Sequence, residues 1–239
     1  MAVTPRVCLL TGASGLLGTR FIERLASRYQ VVAVHLHQPV DFASQDQYFM
    51  DPLAPDDDIA ANDHPVFTLA ADLSDPGECT RVVKQALATF GQVDLLVCGA
   101  GQRHWSSLLT EESSRVAAGA FAVNTLSPLW LAGELARQAW AGTVEENVER
   151  NRNVVTVASS AGVYVYPDLG QGVYAASKAA LIHLGYHLAS ECWDIGVRVN
   201  TVVPDTFPGR AETDDVIDAI VAFDEGSETG RTTTLLGPS

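Results

Sequence analysis

The chain has 239 residues, 47% of them apolar and 18% charged; 29 Asp and Glu against 15 Lys and Arg leave a formal net charge of −14. That apolar content excludes general disorder, and the absence of a basic patch to neutralise phosphates argues against nucleic acid or anionic membrane as partners. In chain order, Val7–Leu10 reads as a strand ending at Thr11-Gly12. Leu16–Arg28 reads as a helix, with Leu17, Phe21, Leu25 and Arg28 at helical spacing. Val31–Leu36 and Val66–Ala70 are the next strands, separated by an irregular acidic insert over residues 38–64. Asp75–Phe90 is a helix with Asp75 as cap, Pro76 in the first turn and Gly91 at its end. Val93–Cys98 is a fourth strand, and Ser113–Trp140 a long helix whose pattern breaks at Ser127-Pro128. Val154–Ala158 is a fifth strand, Val173–Trp193 a helix and Val197–Val203 a sixth strand. Thr213–Phe223 reads as a short helix and Thr232–Leu236 as a weak last strand.

Repeated strand–helix–strand units with continuous apolar strands imply a parallel sheet covered on both faces. Right-handed crossovers then give a Rossmann-like, doubly wound α/β fold. No linker divides the chain, so residues 1–239 are expected to form one domain. No apolar run approaches the roughly 18 residues of a membrane span, and the N-terminus shows no signal-peptide pattern. Cys8, Cys79, Cys98 and Cys192 form no CxxC pair and read as reduced thiols of a cytoplasmic protein. Metal is not expected: His183 and His187 stand four apart without a third ligand. Residues 41–63 hold seven acids and no Lys or Arg, and residues 205–228 hold eight acids and one Arg; both read as solvated surface.

The first strand runs into Thr11-Gly12-Ala13-Ser14-Gly15-Leu16-Leu17-Gly18. Gly12 permits a tight turn, Gly15 close approach of a pyrophosphate, and Gly18 close packing of helix on sheet. The helix N-terminus then offers N–H groups and the positive end of its dipole to the phosphates. An acid at the end of strand two would bind a ribose 2′-hydroxyl and favour NAD. This chain has Val34-His35-Leu36-His37 there. NADP is therefore expected in preference to NAD, with His35 or Arg20 approaching the 2′-phosphate. Asp72 is placed either to bond adenine or to cap the next helix.

Tyr174 and Lys178 stand four apart, on one face of the helix after strand five. That helix starts beside the carboxyl edge of the sheet, where open α/β sheets bind ligands. A free phenol titrates near pH ~10, and a neighbouring ammonium favours its phenolate. Such a tyrosine exchanges a proton with a substrate oxygen while hydride moves to or from carbon. Ser159 or Ser160, at the end of strand five, is suited to bond that oxygen.

From Val7 to about Val203 the sequence resembles the short-chain dehydrogenase/reductase family. The matching residues are the glycine loop, Asp72-Leu73, Gly91-Gln92-Val93-Asp94, Gly99-Ala100-Gly101, Val123-Asn124, Ser159-Ser160-Ala161-Gly162, Tyr174-x-x-x-Lys178 and Val197-Arg198-Val199-Asn200. The resemblance implies Tyr174 as acid/base and Lys178 as holder of the nicotinamide ribose and tuner of Tyr174. It implies Ser160 as the substrate-orienting serine and Asn124 as anchor of a proton-relay water. It also implies cofactor contacts from Gly12, Ser14, Gly15, Leu16, Leu17, Gly18, His35, Asp72, Leu73, Gly99, Ala100, Gly101, Pro204 and Thr206. The implied activity is reduction of a carbonyl or oxidation of an alcohol, on a small molecule, by a homodimer or homotetramer. Three features depart from the family: the glycine spacing is that of its extended branch, Cys98-Gly99 replaces Asn-Asn, and Pro204-Asp205 replaces Pro-Gly. A short segment beyond Asp205 implies a reduced lid. These departures keep two alternatives open, a weakly active dinucleotide-binding scaffold and an epimerase or dehydratase. Gln102, Arg103, His104, Trp105, Tyr164 and Tyr166 are candidate pocket residues.

Overall fold

Seven short segments, most of them apolar, pair in parallel into one sheet in the order β3-β2-β1-β4-β5-β6-β7. The structure is a computed structural model that describes residues 5–38, 66–207 and 209–237; the acidic stretch 41–63 lies outside the described residues. The strands are β1 (Arg6–Thr11), β2 (Tyr29–His35), β3 (Val66–Ala70), β4 (Leu95–Cys98), β5 (Asn153–Val157), β6 (Arg198–Pro204) and β7 (Thr232–Leu235). The helices are α1 (Leu16–Leu25), α2 (Pro76–Phe90), α3 (Glu111–Phe121), α4 (Ser127–Leu135), α5 (Val144–Glu149), α6 (Gly172–Trp193) and α7 (Thr213–Glu225).

Side-chain alternation along the strands splits the core between the two faces. Leu9, Val32, Leu96, Val154 and Val199 pack on one side with Leu131, Leu135 and Trp140. Leu10, Val31, Val97, Val155 and Val202 pack on the other with Phe21, Ile22, Ile217 and Ile220. Strand order reverses between β1 and β4, whose registers align Thr11 with Cys98. A crevice at the carboxyl ends of the strands is expected at that reversal.

The local signals in the sequence act as anticipated at α2. Asp75 caps it by accepting from Gly77 N at 2.7 Å, Pro76 opens it, and Gly91 closes it at φ 75°. Asp72 does not cap α2; its carboxylate takes the N–H and hydroxyl of Ser74 at 3.0 and 2.7 Å. The long helical run begins at Glu111, capped by Thr110, two residues before the expected start. It does not end at Ser127-Pro128. A π turn, Ala122–Leu126, closed by Ser127 N to Ala122 O, joins α3 to α4. Pro128 lacks an N–H and its ring crowds the carbonyl four residues back, so the wider turn accommodates it. The short helix α5 carries no apolar periodicity and is held instead by Asn147, which donates to Trp140 O at 2.8 Å and Ile195 O at 2.6 Å.

The acids of residues 205–228 are not uniformly solvated, contrary to the sequence expectation: Asp205 and Asp224 are buried. Asp224, on α7, receives Arg6 at 2.6 Å and the Tyr29 hydroxyl at 2.7 Å, while its carbonyl receives Asn151 and Arg198. One carboxylate thus ties the last helix to β1 and β2. Removing one partner of a buried ion pair strands the other charge. Asp224→Ala is expected to destabilise by about 3–5 kcal/mol in urea denaturation. Asp218→Ala, which removes a mostly exposed partner of Arg24, is expected to leave the midpoint nearly unchanged.

Candidate functional site

A cleft of about 450 Å³ runs along the carboxyl ends of β1, β2, β4, β5 and β6. Its floor begins at the loop from β1 into α1. Gly12 takes φ 72°, and a Cβ there would lie 2.8 Å from Gly99 O and Ala100 N. A Cβ on Gly18 would come within 2.5 Å of Gly12 O and Ala13 Cα, so only glycine lets α1 sit this close to the loop. Gly15 is the N-cap of α1 and no side chain caps the helix, leaving first-turn N–H groups open toward the cleft. No acid occupies that turn. This is the arrangement that attracts phosphate. Thr11 couples the two loops of the floor: its hydroxyl accepts from Ala100 N at 3.1 Å and donates to Val97 O at 3.4 Å.

Every residue expected to touch a dinucleotide lines this cleft except Gly18, which lies behind it as a packing contact, and Arg20. His35 stands at the end of β2, its Nδ1 buried without a hydrogen-bond partner. Burial lowers its pKa below that of a free imidazole. Arg20 is held by acids on α1 and α7. Asp214 holds it at 2.9 and 3.0 Å and Glu23 at 3.2 Å. The bonds to Arg20 and Arg24 lower the Asp214 pKa to about 2. The expectation that Arg20 is available to a 2′-phosphate is therefore corrected: it joins α1 to α7.

At the other end of the cleft, α6 places Tyr174 half-buried and Lys178 one turn later at 4% exposure. Lys178 Nζ donates to Val157 O, at the end of β5, at 2.8 Å and lies 6.0 Å from the centroid of the Tyr174 ring. Burial, with a smaller push from the Arg103 charge, lowers the lysine to about 8. Cys98 beside it is a buried thiol pushed up to about 12 by burial. Asn124 sits in the π turn, fully buried. Its Oδ1 accepts from Gln102 N at 2.7 Å, and its Nδ2 donates to Gln102 O and Ser177 Oγ, both at 2.9 Å. The amide thus clamps the loop after β4 onto α6, and Asn124 does not itself line the cleft.

Ser160 is buried at the cleft wall. It receives the Tyr166 hydroxyl at 2.9 Å and donates to Asp205 Oδ1 at 3.3 Å. Ser159 instead caps the short 3-10 turn Ser160–Gly162, accepting from Ala161 N at 3.2 Å. Of the candidate pocket residues, Gln102, Arg103, Trp105 and Tyr166 line the cleft, and His104 and Tyr164 do not. Leu169, Gln171 and Phe207 also line it; no motif marks them in the sequence. Among the described residues no cluster of three His, Cys, Asp or Glu is placed to hold a metal.

A glycine loop and a Tyr–Lys pair thus lie at opposite ends of one cleft on a doubly wound sheet. The chain matches the short chain dehydrogenase family over residues 6–215 and belongs to that family. It is 32% identical over 211 residues to an uncharacterized NAD-dependent oxidoreductase of Mycobacterium tuberculosis, spanning 83% of this chain and 70% of that protein. It is 29% identical over 231 residues to an acetoacetyl-CoA reductase of Allochromatium vinosum, spanning 91% of this chain and 82% of that one. The fold superposes on the crystal structure of a short chain dehydrogenase from Mycobacterium smegmatis with a TM-score of 0.79 at 22% identity, covering 99% and 93% of the two chains.

Holding Lys178 charged in the interior costs stability while the folded lysine keeps its proton. The unfolded chain binds that proton up to about pH 10.5 and the folded chain only up to about 8. Stability therefore rises with pH between those values. Lys178→Met removes a penalty of about 3 kcal/mol and loses one hydrogen bond worth about 1 kcal/mol. It is expected to be more stable than the parent at pH 7, with the advantage shrinking between pH 8 and 10.5. Thermal denaturation across that range checks the sign.

Proposed function

We propose that this chain is an NADP-preferring carbonyl reductase or alcohol dehydrogenase acting on a small molecule. The observation that carries the reading is the meeting of Tyr174, the buried Lys178 and the phosphate-binding loop in one cleft. The uncapped α1 N-terminus and the close-packed glycines fit a dinucleotide pyrophosphate. Ser14, Gly15, Leu16 and Leu17 would hold that pyrophosphate, and Gly12 shapes the loop for it. His35, Asp72 and Leu73 would flank the adenosine; Gly99, Ala100, Gly101, Pro204 and Thr206 would flank the nicotinamide riboside. When bound, the nicotinamide takes a hydride from an alcohol carbon or gives one to a carbonyl carbon.

In oxidation, Tyr174 takes the proton of the alcohol oxygen as the C–H bond breaks; in reduction it returns that proton to the oxygen. Lys178 contributes positive charge beside the ring and, through its bond to Val157, a fixed position from which to meet the ribose hydroxyls. Asn124 acts by holding the loop over the cleft, and Ser160 faces the substrate. Trp105, Tyr166, Leu169 and Phe207 line the cleft and offer the substrate apolar and aromatic surface. The whole chain acts as one dinucleotide-binding and catalytic unit.

NADP preference rests on His35 and on the missing carboxylate at the end of β2. With Arg20 held by Asp214, the preference is modest. Burial keeps His35 neutral near pH 7, and its protonation at lower pH adds the charge that a 2′-phosphate binds. The M. tuberculosis relative is named NAD-dependent, which makes the comparison of the two cofactors the natural test. We also read the protein as cytoplasmic, on the strength of four unpaired buried cysteines. A homodimer or homotetramer is read from the exposed Tyr186 and Trp193 on α6.

A panel of ketones and secondary alcohols, followed by nicotinamide absorbance with NADP(H) and NAD(H) in parallel, is expected to give turnover. Tyr174→Phe is expected to lower kcat about a thousandfold or more, with NADPH affinity nearly unchanged; full activity in that variant overturns the acid/base role. Fluorescence titration is expected to show NADPH binding more tightly than NADH. The margin should widen from pH 7.5 to 5.5 and lose that pH dependence in His35→Gln. A preference for NADH throughout contradicts the reading of His35.

A further inference from the structure

The hydrogen bonds around Ser160 run in one direction. Asp205, only 7% exposed, occupies the position where the family usually has glycine. Its Oδ1 accepts the Thr206 N–H at 2.8 Å and the Ser160 hydroxyl at 3.3 Å, and its Oδ2 faces the Arg210 guanidinium at 3.6 Å. A carboxylate has no proton to give, so Ser160 must be the donor in that bond. The Tyr166 hydroxyl in turn donates to Ser160 Oγ at 2.9 Å. The single proton of Ser160 is therefore already placed, and what the residue offers the cleft is a lone pair.

While its proton is held by Asp205, Ser160 does not donate to the oxygen of a ketone. It can accept from a hydroxyl; the reacting carbinol's own proton goes to Tyr174, so the nearest hydroxyl left to donate is one on the neighbouring carbon. We infer that Asp205 determines specificity through Ser160, selecting substrates with a hydroxyl next to the reacting carbon: vicinal diols in oxidation, α-hydroxy ketones in reduction. The inference rests on the oxidoreductase reading above. In the oxidation of a diol, the reacting carbon gives its hydride to the bound dinucleotide and its oxygen gives its proton to Tyr174. The second hydroxyl keeps its proton and donates it to Ser160.

The test compares cis-cyclohexane-1,2-diol with its monomethyl ether, which lacks the second donor, in oxidation by the full chain with NADP⁺. The expected result is a kcat/KM about tenfold or more higher for the diol, carried mainly by KM. Asp205→Gly frees Ser160 to donate and is expected to bring the ratio below about twofold. Ser160→Ala, which keeps Asp205 and its bonds to Thr206 and Arg210, is expected to do the same, and Asp205→Gly added to it changes nothing more. A merely steric dislike of the methyl group would survive in all three variants. Equal use of both compounds by the parent overturns the inference. So does a diol preference that persists in Ser160→Ala, or turnover of other alcohols but of neither compound. Absence of turnover on every alcohol and ketone, with dinucleotide still bound, overturns the oxidoreductase reading itself.

Discussion

A single buried ammonium organises the site. Lys178 loses most of its hydration on the inner face of α6 and recovers one strong bond, to the carbonyl of Val157 at the carboxyl end of β5. That bond sets the register of α6 against the sheet. A turn earlier on the same face, Tyr174 is brought over the cleft. Interior charge of this kind is expensive, and the lowered pKa of Lys178 is its signature. The surrounding structure keeps the charge in place. A Cβ on Gly101 would lie 3.6 Å from both Lys178 Nζ and Asn124 Oδ1, an ordinary contact distance, so the loop after β4 runs directly past the ammonium.

The remaining walls follow from how that loop is held. Asn124 pins it at Gln102 and reaches Ser177, the residue before the lysine, while Thr125 bonds Ser177 O at 2.8 Å. Thr11 pins the other end of the loop to β1. The π turn that carries Asn124 is thus tied to α6 by the side chains of Asn124 and Thr125, and Asn124 also holds Gln102. The two ends of the cleft, phosphate loop and Tyr–Lys pair, are linked through a short series of hydrogen bonds among backbone groups, the Thr11, Thr125 and Ser177 hydroxyls and the Asn124 amide. Rigid, preorganised positioning of this kind is what proton and hydride transfer require.

Features with local causes were legible in the sequence. The glycine loop, the Asp75 cap and the Tyr174–Lys178 spacing each need only neighbours within a turn or two, and the structure has each of them. The continuous apolar strands announced a doubly wound sheet because both of its faces are covered. Features made by contacts distant in sequence were not legible. Arg20 reads as a free cation until α7 brings Asp214 to it, 194 residues later. Asp205 and Asp224 read as solvated acids until Ser160, Arg6 and Tyr29 enclose them. The break at Ser127-Pro128 read as an interruption because a π turn has no composition of its own, and α5 was missed because its stability comes from Asn147 rather than from an apolar face. The odd glycine spacing and Cys98-Gly99 leave the cleft intact: the backbone cradle depends on glycine at Gly12 and Gly18, and Cys98 packs as a buried neutral thiol.

On the proposed function, hydride passes directly between a dinucleotide and a substrate carbon beside Tyr174. The most direct test of this is isotopic. NADPH carrying deuterium at the transferable C4 position is incubated with the chain and a ketone that it reduces, and the product alcohol is examined by NMR and mass spectrometry. The expected product of the parent chain carries one deuterium, bound to the carbinol carbon, and its formation is lost in Tyr174→Phe. A carbinol carbon bearing only solvent hydrogen, or labelled product formed at an undiminished rate by Tyr174→Phe, would contradict that mechanism.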